Sequence, residues 1–92
     1  MYDIYEKSIQ KEVIPHMEEV CKTKQTWKGK LHFPVGALVQ EAEKAGFTVH
    51  QDDMSTNGWQ WDWWIDMEKD GERYTLGGSG YYGGIRFFVA EE

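Results

Sequence analysis

The chain has one cysteine, two prolines, and no apolar run approaching the roughly 18 residues a membrane-crossing helix needs. A lone thiol, Cys21, forms no internal disulfide, so the fold must hold without covalent staples. That usage fits a reducing compartment, and a cytoplasmic location is expected. The opening Met1-Tyr2-Asp3-Ile4-Tyr5-Glu6 lacks the basic-then-apolar order of a secretory leader. Internal repeats and low-complexity stretches are absent. At 92 residues the chain is expected to be one domain over its whole length, 1–92.

Positive charge is also scarce. Ten Lys and Arg face sixteen Asp and Glu, a formal net charge of −6. The deficit is not spread evenly. From Met1 to Gly46 seven lysines balance seven acids; from Phe47 to Glu92 nine acids face only Lys69, Arg73 and Arg86. An acidic field repels phosphate backbones and anionic lipid and attracts basic partners. Aromatics, by contrast, are plentiful: five Trp, five Tyr and four Phe. Each buries roughly 150–250 Å² when enclosed, which suits a short chain with a modest core.

Asp3 and Glu6 have the spacing of a helix cap with its reciprocal partner, and Tyr5, Ile9, Val13, Met17 and Val20/Cys21 then recur at helical steps. Pro15 removes one backbone donor inside this run. The spacing predicts one kinked helix from about Asp3 to Lys22, or two short helices meeting at Pro15. Thr23 to His32 reads as a connector. Pro34 suits a helix start, Val35, Leu38, Val39, Ala42 and Ala45 form an apolar stripe, and Gly46 suits a left-handed helix end.

From Phe47 the period becomes two. A short strand is expected over 47–52, then a loop from Asp53 to Gly58. In the strand Trp59 to Glu68, Trp59, Trp61, Trp63, Ile65 and Met67 share one face; Gln60, Asp62, Trp64, Asp66 and Glu68 share the other. Asp70-Gly71 is a two-residue hairpin turn. It sets Lys69 opposite Glu72, Glu68 opposite Arg73, Met67 opposite Tyr74, Ile65 opposite Leu76 and Trp64 opposite Gly77. Gly77 to Gly80 reads as the next turn and Tyr81 to Ala90 as the last strand, with Ile85, Phe87 and Val89 inward and Arg86 and Phe88 outward. The expected fold is α+β: two N-terminal helices packed on one face of a four-stranded antiparallel sheet, in the order α-α-β-β-β-β.

Catalytic motifs are missing. Gly78-Ser79-Gly80-Tyr81-Tyr82-Gly83 matches G-x-G-x-x-G, but a dinucleotide site needs a helix after it and here a strand follows. His16, His32, His50 and Cys21 have no metal-ligand spacing. Asp62 and Asp66 would stand roughly 13 Å apart along a strand, too far to flank one glycosidic bond. No catalytic residue, metal or cofactor is therefore assigned.

Two candidate contact surfaces remain. One is acidic: Asp62, Asp66 and Glu68 around Trp64, with Phe88 on the same face and Asp52 and Asp53 extending it. An aromatic rimmed by charge is typical of protein interfaces; Trp64 could equally serve as cover for Gly77. The other is basic: Lys22, Lys24, Lys28 and Lys30 with Trp27 among them, a candidate phosphate or second-partner contact. The expected partner is a protein, a basic nucleic-acid-handling one or a ribonucleoprotein complex, with RNA contact open to the lysine segment and no membrane.

In length, acidic balance, aromatic-rich sheet and lack of catalytic motifs the chain resembles the small phage-encoded anti-CRISPR proteins. The resemblance implies a stoichiometric inhibitor that docks on an RNA-guided effector complex and obstructs DNA. An immunity or antitoxin protein that neutralises a basic nuclease toxin would use the same physics. A sugar-binding module would ask for more outward tryptophans than the alternation allows.

Overall fold

The computed structural model describes residues 3–57, 60–79 and 83–90, with the side chains of 51–57 and 60–62 outside the description. Its elements are α1 (Asp3–Glu12), α2 (Ile14–Thr23), β1 (Trp27–Lys30), α3 (Val35–Lys44), β2 (Thr48–Asn57), β3 (Gln60–Lys69), β4 (Glu72–Ser79) and β5 (Gly84–Val89). The fold is α+β, with helices over one face of a single antiparallel sheet. The sheet has five strands in the order β1-β5-β4-β3-β2, rather than the expected four.

The first helix is bent, and the break falls at Val13. Pro15 has no N–H for the carbonyl of Lys11, so the ladder loosens there. Continuity survives because the Val13 N–H donates to the Ile9 carbonyl at 2.9 Å and the Met17 N–H to the Val13 carbonyl at 3.0 Å. Both sequence readings of this segment thus describe one object: two ten-residue helices forming a bent rod. α3 ends as Gly46 requires. Gly46 has φ +100°, its N–H donates to the Glu43 carbonyl, and the Phe47 N–H reaches back to the Ala42 carbonyl at 3.0 Å. These paired bonds satisfy carbonyls that the helix end would otherwise strand.

The β3–β4 hairpin has the register that its turn dictates. Asp70 and Gly71 both have positive φ, and Lys69↔Glu72, Glu68↔Arg73, Met67↔Tyr74, Ile65↔Leu76 and Trp64↔Gly77 are direct partners. Trp63, Ile65 and Met67 are buried and Trp64 faces out, as alternation requires. Trp59 and the side chain of Trp61, expected on the same inner face, lie outside the described residues.

Three strand boundaries differ from expectation. The presumed connector contains β1, whose Trp27, Lys28, Gly29 and Lys30 pair with Phe87, Arg86, Ile85 and Gly84. Four residues, three of them Lys or Gly, are too few to show a period. The presumed loop from Asp53 to Gly58 is strand as far as Asn57, paired with β3 out to Gln60. A bulge between Val49 and Gln51 breaks the alternation there, so the phase read from Phe47 does not carry forward. The presumed Gly77–Gly80 turn is strand through Ser79, and β5 is described from Gly84. Gly78 is a packing glycine: a β-carbon there would sit inside the Trp63 indole and 2.8 Å from the Gly84 carbonyl oxygen.

One buried cluster joins the layers. Ile9, Val13, Met17, Val20 and Leu38 from the helices meet Trp63, Ile65, Met67, Tyr74, Leu76, Ile85 and Phe87 from the sheet, with Leu31, Phe33 and Phe47 between. Tyr74 stacks on Phe87 with centroids 5.3 Å apart, and Phe47 meets both edge-on. Cys21 is half-buried against this cluster, as its place in the helical stripe suggested.

Candidate functional site

The helices cover the inner face of the sheet and leave the other face open. In an antiparallel sheet, directly opposed residues share a face, so pairing alone places the outer side chains. Lys28 faces Arg86, Arg86 faces Gly77 and Gly77 faces Trp64, one continuous row across β1, β5, β4 and β3. The next row is Phe88, Thr75 and Asp66, followed by Arg73 and Glu68. Charge is unevenly sorted along these rows: Lys28 and Arg86 stand on β1 and β5 with Phe88; Asp66 and Glu68 stand on β3 with Trp64; and Arg73 of β4 faces Glu68.

The acids are held in place. The Thr75 hydroxyl donates to Asp66 Oδ1 at 3.1 Å, and His50 Nε2 meets Glu68 Oε1 at 2.8 Å. Asp52 and Asp53 lie on β2, opposite Ile65 and Trp64, and Asp62 lies on β3; their side chains are outside the described residues. Trp64 is 39 % exposed. It does not cover Gly77. A β-carbon at Gly77 would meet only the Trp63 carbonyl oxygen, at 3.7 Å, with no atom of the Trp64 ring within 4 Å. The space over Gly77 is instead an open groove of about 580 Å³, lined by Lys28, Arg86, Phe88, Trp64, Gly77 and Gly84 among others. The Arg86 guanidinium lies over the Phe88 ring, 4.8 Å from its centroid.

The lysine segment does not form the single flexible surface that sequence suggested. Lys22 is exposed in the last turn of α2. Lys24 adopts a left-handed conformation at the end of that helix, pairs with Glu72 and donates to the Tyr74 hydroxyl at 2.8 Å. The bond to Glu72, then that to Tyr74, holds its ammonium well above the usual lysine range. Lys24 is a clasp between α2 and β4, not a free phosphate contact. Trp27 turns inward, half-buried, and stacks on His16 with centroids 4.9 Å apart, away from the face that carries Lys28 and Lys30. Lys28 and Lys30 remain, both exposed on β1.

Among the described residues, Lys28 and Lys30 of the lysine segment thus join the outer face that holds Trp64, Asp66 and Glu68, so the exposed candidates gather on one face of the sheet. Comparison with family models, with curated proteins and with solved structures gives no match. Among the described residues no three His, Cys, Asp or Glu side chains converge as metal ligands, and no helix is long and apolar enough to cross a membrane. Arg86 and the glycines of the groove are the site residues that sequence reasoning did not single out. Arg86 was legible as outward-facing, but its meeting with Lys28 depends on the β1–β5 pairing, which has no local signature.

Among the described residues one charged side chain is buried. Glu41 of α3 is only 4 % exposed. It accepts from Gln10 Nε2 at 2.8 Å and Lys44 Nζ at 3.0 Å, tying α3 to α1. The Glu41 carboxylate raises the Lys44 ammonium in turn. This is a structural tie, distant in the fold from the groove.

Proposed function

We propose that the chain is a non-catalytic binding protein that acts stoichiometrically through the outer face of its sheet on a nucleic-acid-handling partner. The resemblance to anti-CRISPR proteins names the partner class as an RNA-guided effector complex. The carboxylates of β3 dock on basic surface that would otherwise hold nucleic acid, and so obstruct DNA binding. The observation that supports this reading is Trp64. A large aromatic, 39 % exposed, stands among Asp66 and Glu68 with no glycine to cover. Such an anchor excludes water from surrounding ion pairs and strengthens them. A strand also holds its side chains at fixed spacing, so little ordering entropy is lost on docking.

The test is a titration of the purified protein against a purified effector complex loaded with guide, with target DNA binding as the readout. One-to-one loss of DNA binding is expected, with the loss abolished in the Asp66→Asn, Glu68→Gln double variant. Undiminished DNA binding at saturating protein would remove the effector reading. Neutralisation of a basic nuclease by the same carboxylates would instead support the antitoxin reading.

A further inference from the structure

The half of the outer face that faces β1 has a different chemistry from the acidic half. Among its described lining residues the groove has two cations, Lys28 and Arg86, and no carboxylate. Its floor is backbone. Gly77 and Gly84 carry no side chain, and a β-carbon at Gly84 would meet only the Gly29 carbonyl oxygen, at 3.8 Å. A flat group can therefore approach the sheet more closely here than over any ordinary strand. Aromatic surface flanks that floor on the side of Trp64 and on the side of Phe88, and Arg86 stacked on Phe88 extends the platform with a planar cation.

We propose that this groove binds single-stranded nucleic acid, one base laid on Trp64 above the glycine floor and its phosphate held by Arg86 and Lys28. The spacing suits the ligand. Lys28 and Trp64 stand three strand spacings apart in one row, roughly 14 Å, which the long Lys and Arg side chains shorten from one side. Stacking is indifferent to base identity because every base presents a π-face, so binding is sequence-tolerant. A duplex is excluded because its base faces are hidden. Its second backbone would also fall on Asp66 and Glu68. With few cations and a net charge of −6 on the chain, the contact covers one or two nucleotides and its salt dependence is shallow, set by those two cations. The inference rests on the outer face being the working surface, as proposed above; it shares Trp64 with that reading and takes its cations, Lys28 and Arg86, from β1 and β5. A protein partner would be gripped by β3 while the strand that this partner carries enters the groove.

Fluorescence anisotropy of labelled oligo(dT) and oligo(U) tests this at low salt, with tryptophan quenching as a second readout. Binding with a log–log salt slope of about −1.4 is expected for two phosphate contacts, and Lys28→Gln or Arg86→Gln should each reduce that slope by about 0.7. Trp64→Ala should weaken binding roughly tenfold to a hundredfold, the range for loss of one stacked base. Gly77→Val, which fills the groove and leaves both cations in the chain, should abolish it; circular dichroism and a thermal melt confirm that each variant is folded. The Asp66→Asn, Glu68→Gln variant should bind oligonucleotide at least as well as the parent, so failure of the protein-docking reading and failure of this one are separable. Absence of binding by the parent protein would overturn the proposal. So would binding indifferent to Trp64→Ala and Gly77→Val, or equal binding of poly-glutamate, which would make the groove a general polyanion or acidic-peptide site.

Discussion

Gly77 and Gly78 are neighbours on β4 with opposite surroundings, and substituting each by alanine separates the two faces of the sheet. At Gly77 the backbone is not in the left-handed region, and the nearest atom to a new β-carbon is a carbonyl oxygen at an ordinary 3.7 Å. Removing glycine's freedom from the unfolded chain should then stabilise by about 0.4–1 kcal/mol. For a domain of this size that is a rise of about 2–8 °C in Tm. At Gly78 the added methyl would enter the Trp63 indole and approach the Gly84 carbonyl oxygen to 2.8 Å. Neither obstacle yields easily: Trp63 is 2 % exposed, and Gly84 is backbone of the adjoining strand. Overpacking of this kind costs about 1–3 kcal/mol. With the unfolded-state gain subtracted, a net loss of about 1.3 kcal/mol is expected, roughly 5–10 °C in Tm. Differential scanning calorimetry on the two single variants reads both signs. The double variant Gly78→Ala, Trp63→Phe should recover part of the loss, because the smaller ring leaves room for the methyl. If Gly78→Ala melts at or above the parent, Trp63 does not lie over Gly78 and the assignment of inner and outer faces fails.

Other expectations follow from the same contacts. Phe87→Ala removes a ring stacked on Tyr74 at the centre of the core and should cost about 3–5 kcal/mol by urea denaturation. Glu41→Ala should lose about 1–3 kcal/mol because the tie between α1 and α3 is broken, whereas Glu41→Met, which fills the volume without a charge, should lose less; a Glu41→Ala variant as stable as the parent would refute a stabilising tie. Alkaline stability should be set in part by the Lys24–Glu72–Tyr74 clasp. Burial raises Tyr74 above its ordinary 10.0, and the bonds to Glu72 and Tyr74 raise Lys24 above 10.5. Both groups therefore hold protons in the folded state that the unfolded chain releases first, so stability is full below about pH 10 and falls above it. Tyr74→Phe should flatten that fall in a pH series of melts. Association with a basic partner should slow as salt rises while dissociation changes little, because the Debye length shrinks from about 10 Å at 0.1 M to 3 Å at 1 M; stopped-flow rates that ignore salt would exclude steering by β3.

Where a feature depends on neighbours in sequence, the sequence declares it. Asp70-Gly71 fixes its hairpin because the turn type permits one register, and Gly46 ends α3 because few other residues take its φ. The outward position of Trp64 follows from a period of two. β1 is different. Its partner is the last strand of the chain, and nothing within Trp27–Lys30 announces that pairing. Trp27 and Lys24 therefore looked available when one is packed against His16 and the other is clasped to Glu72. Gly78 misled for a related reason. Glycines mark turns, but they also mark places where a large ring must lie against backbone, and only the fold shows that Trp63 supplies the ring. Half of the candidate site was thus readable as an acidic strand. The cationic half came from a contact that spans most of the chain.

That contact also orders events in time. β2, β3, β4 and β5 follow one another along the chain, so hairpins can add each strand to the last with short loops to close. β1 must wait. Trp27 meets Phe87 sixty residues later (27 to 87), and the entropy of closing so long a loop is offset only once β5 is already seated. The chain leaving the ribosome carries Lys28 early but has no strand to receive it until residues 84–87 have emerged. By the same reasoning the β1–β5 pairing, and with it the meeting of Lys28 with Arg86, is expected to form last in the sheet. Amide exchange should show Lys28 and Lys30 among the fastest strand positions, well ahead of Ile65 and Leu76. A ligand bridging Lys28 to Trp64 would close that edge and slow its exchange, so the part of the fold completed last is the part that binding would stabilise most.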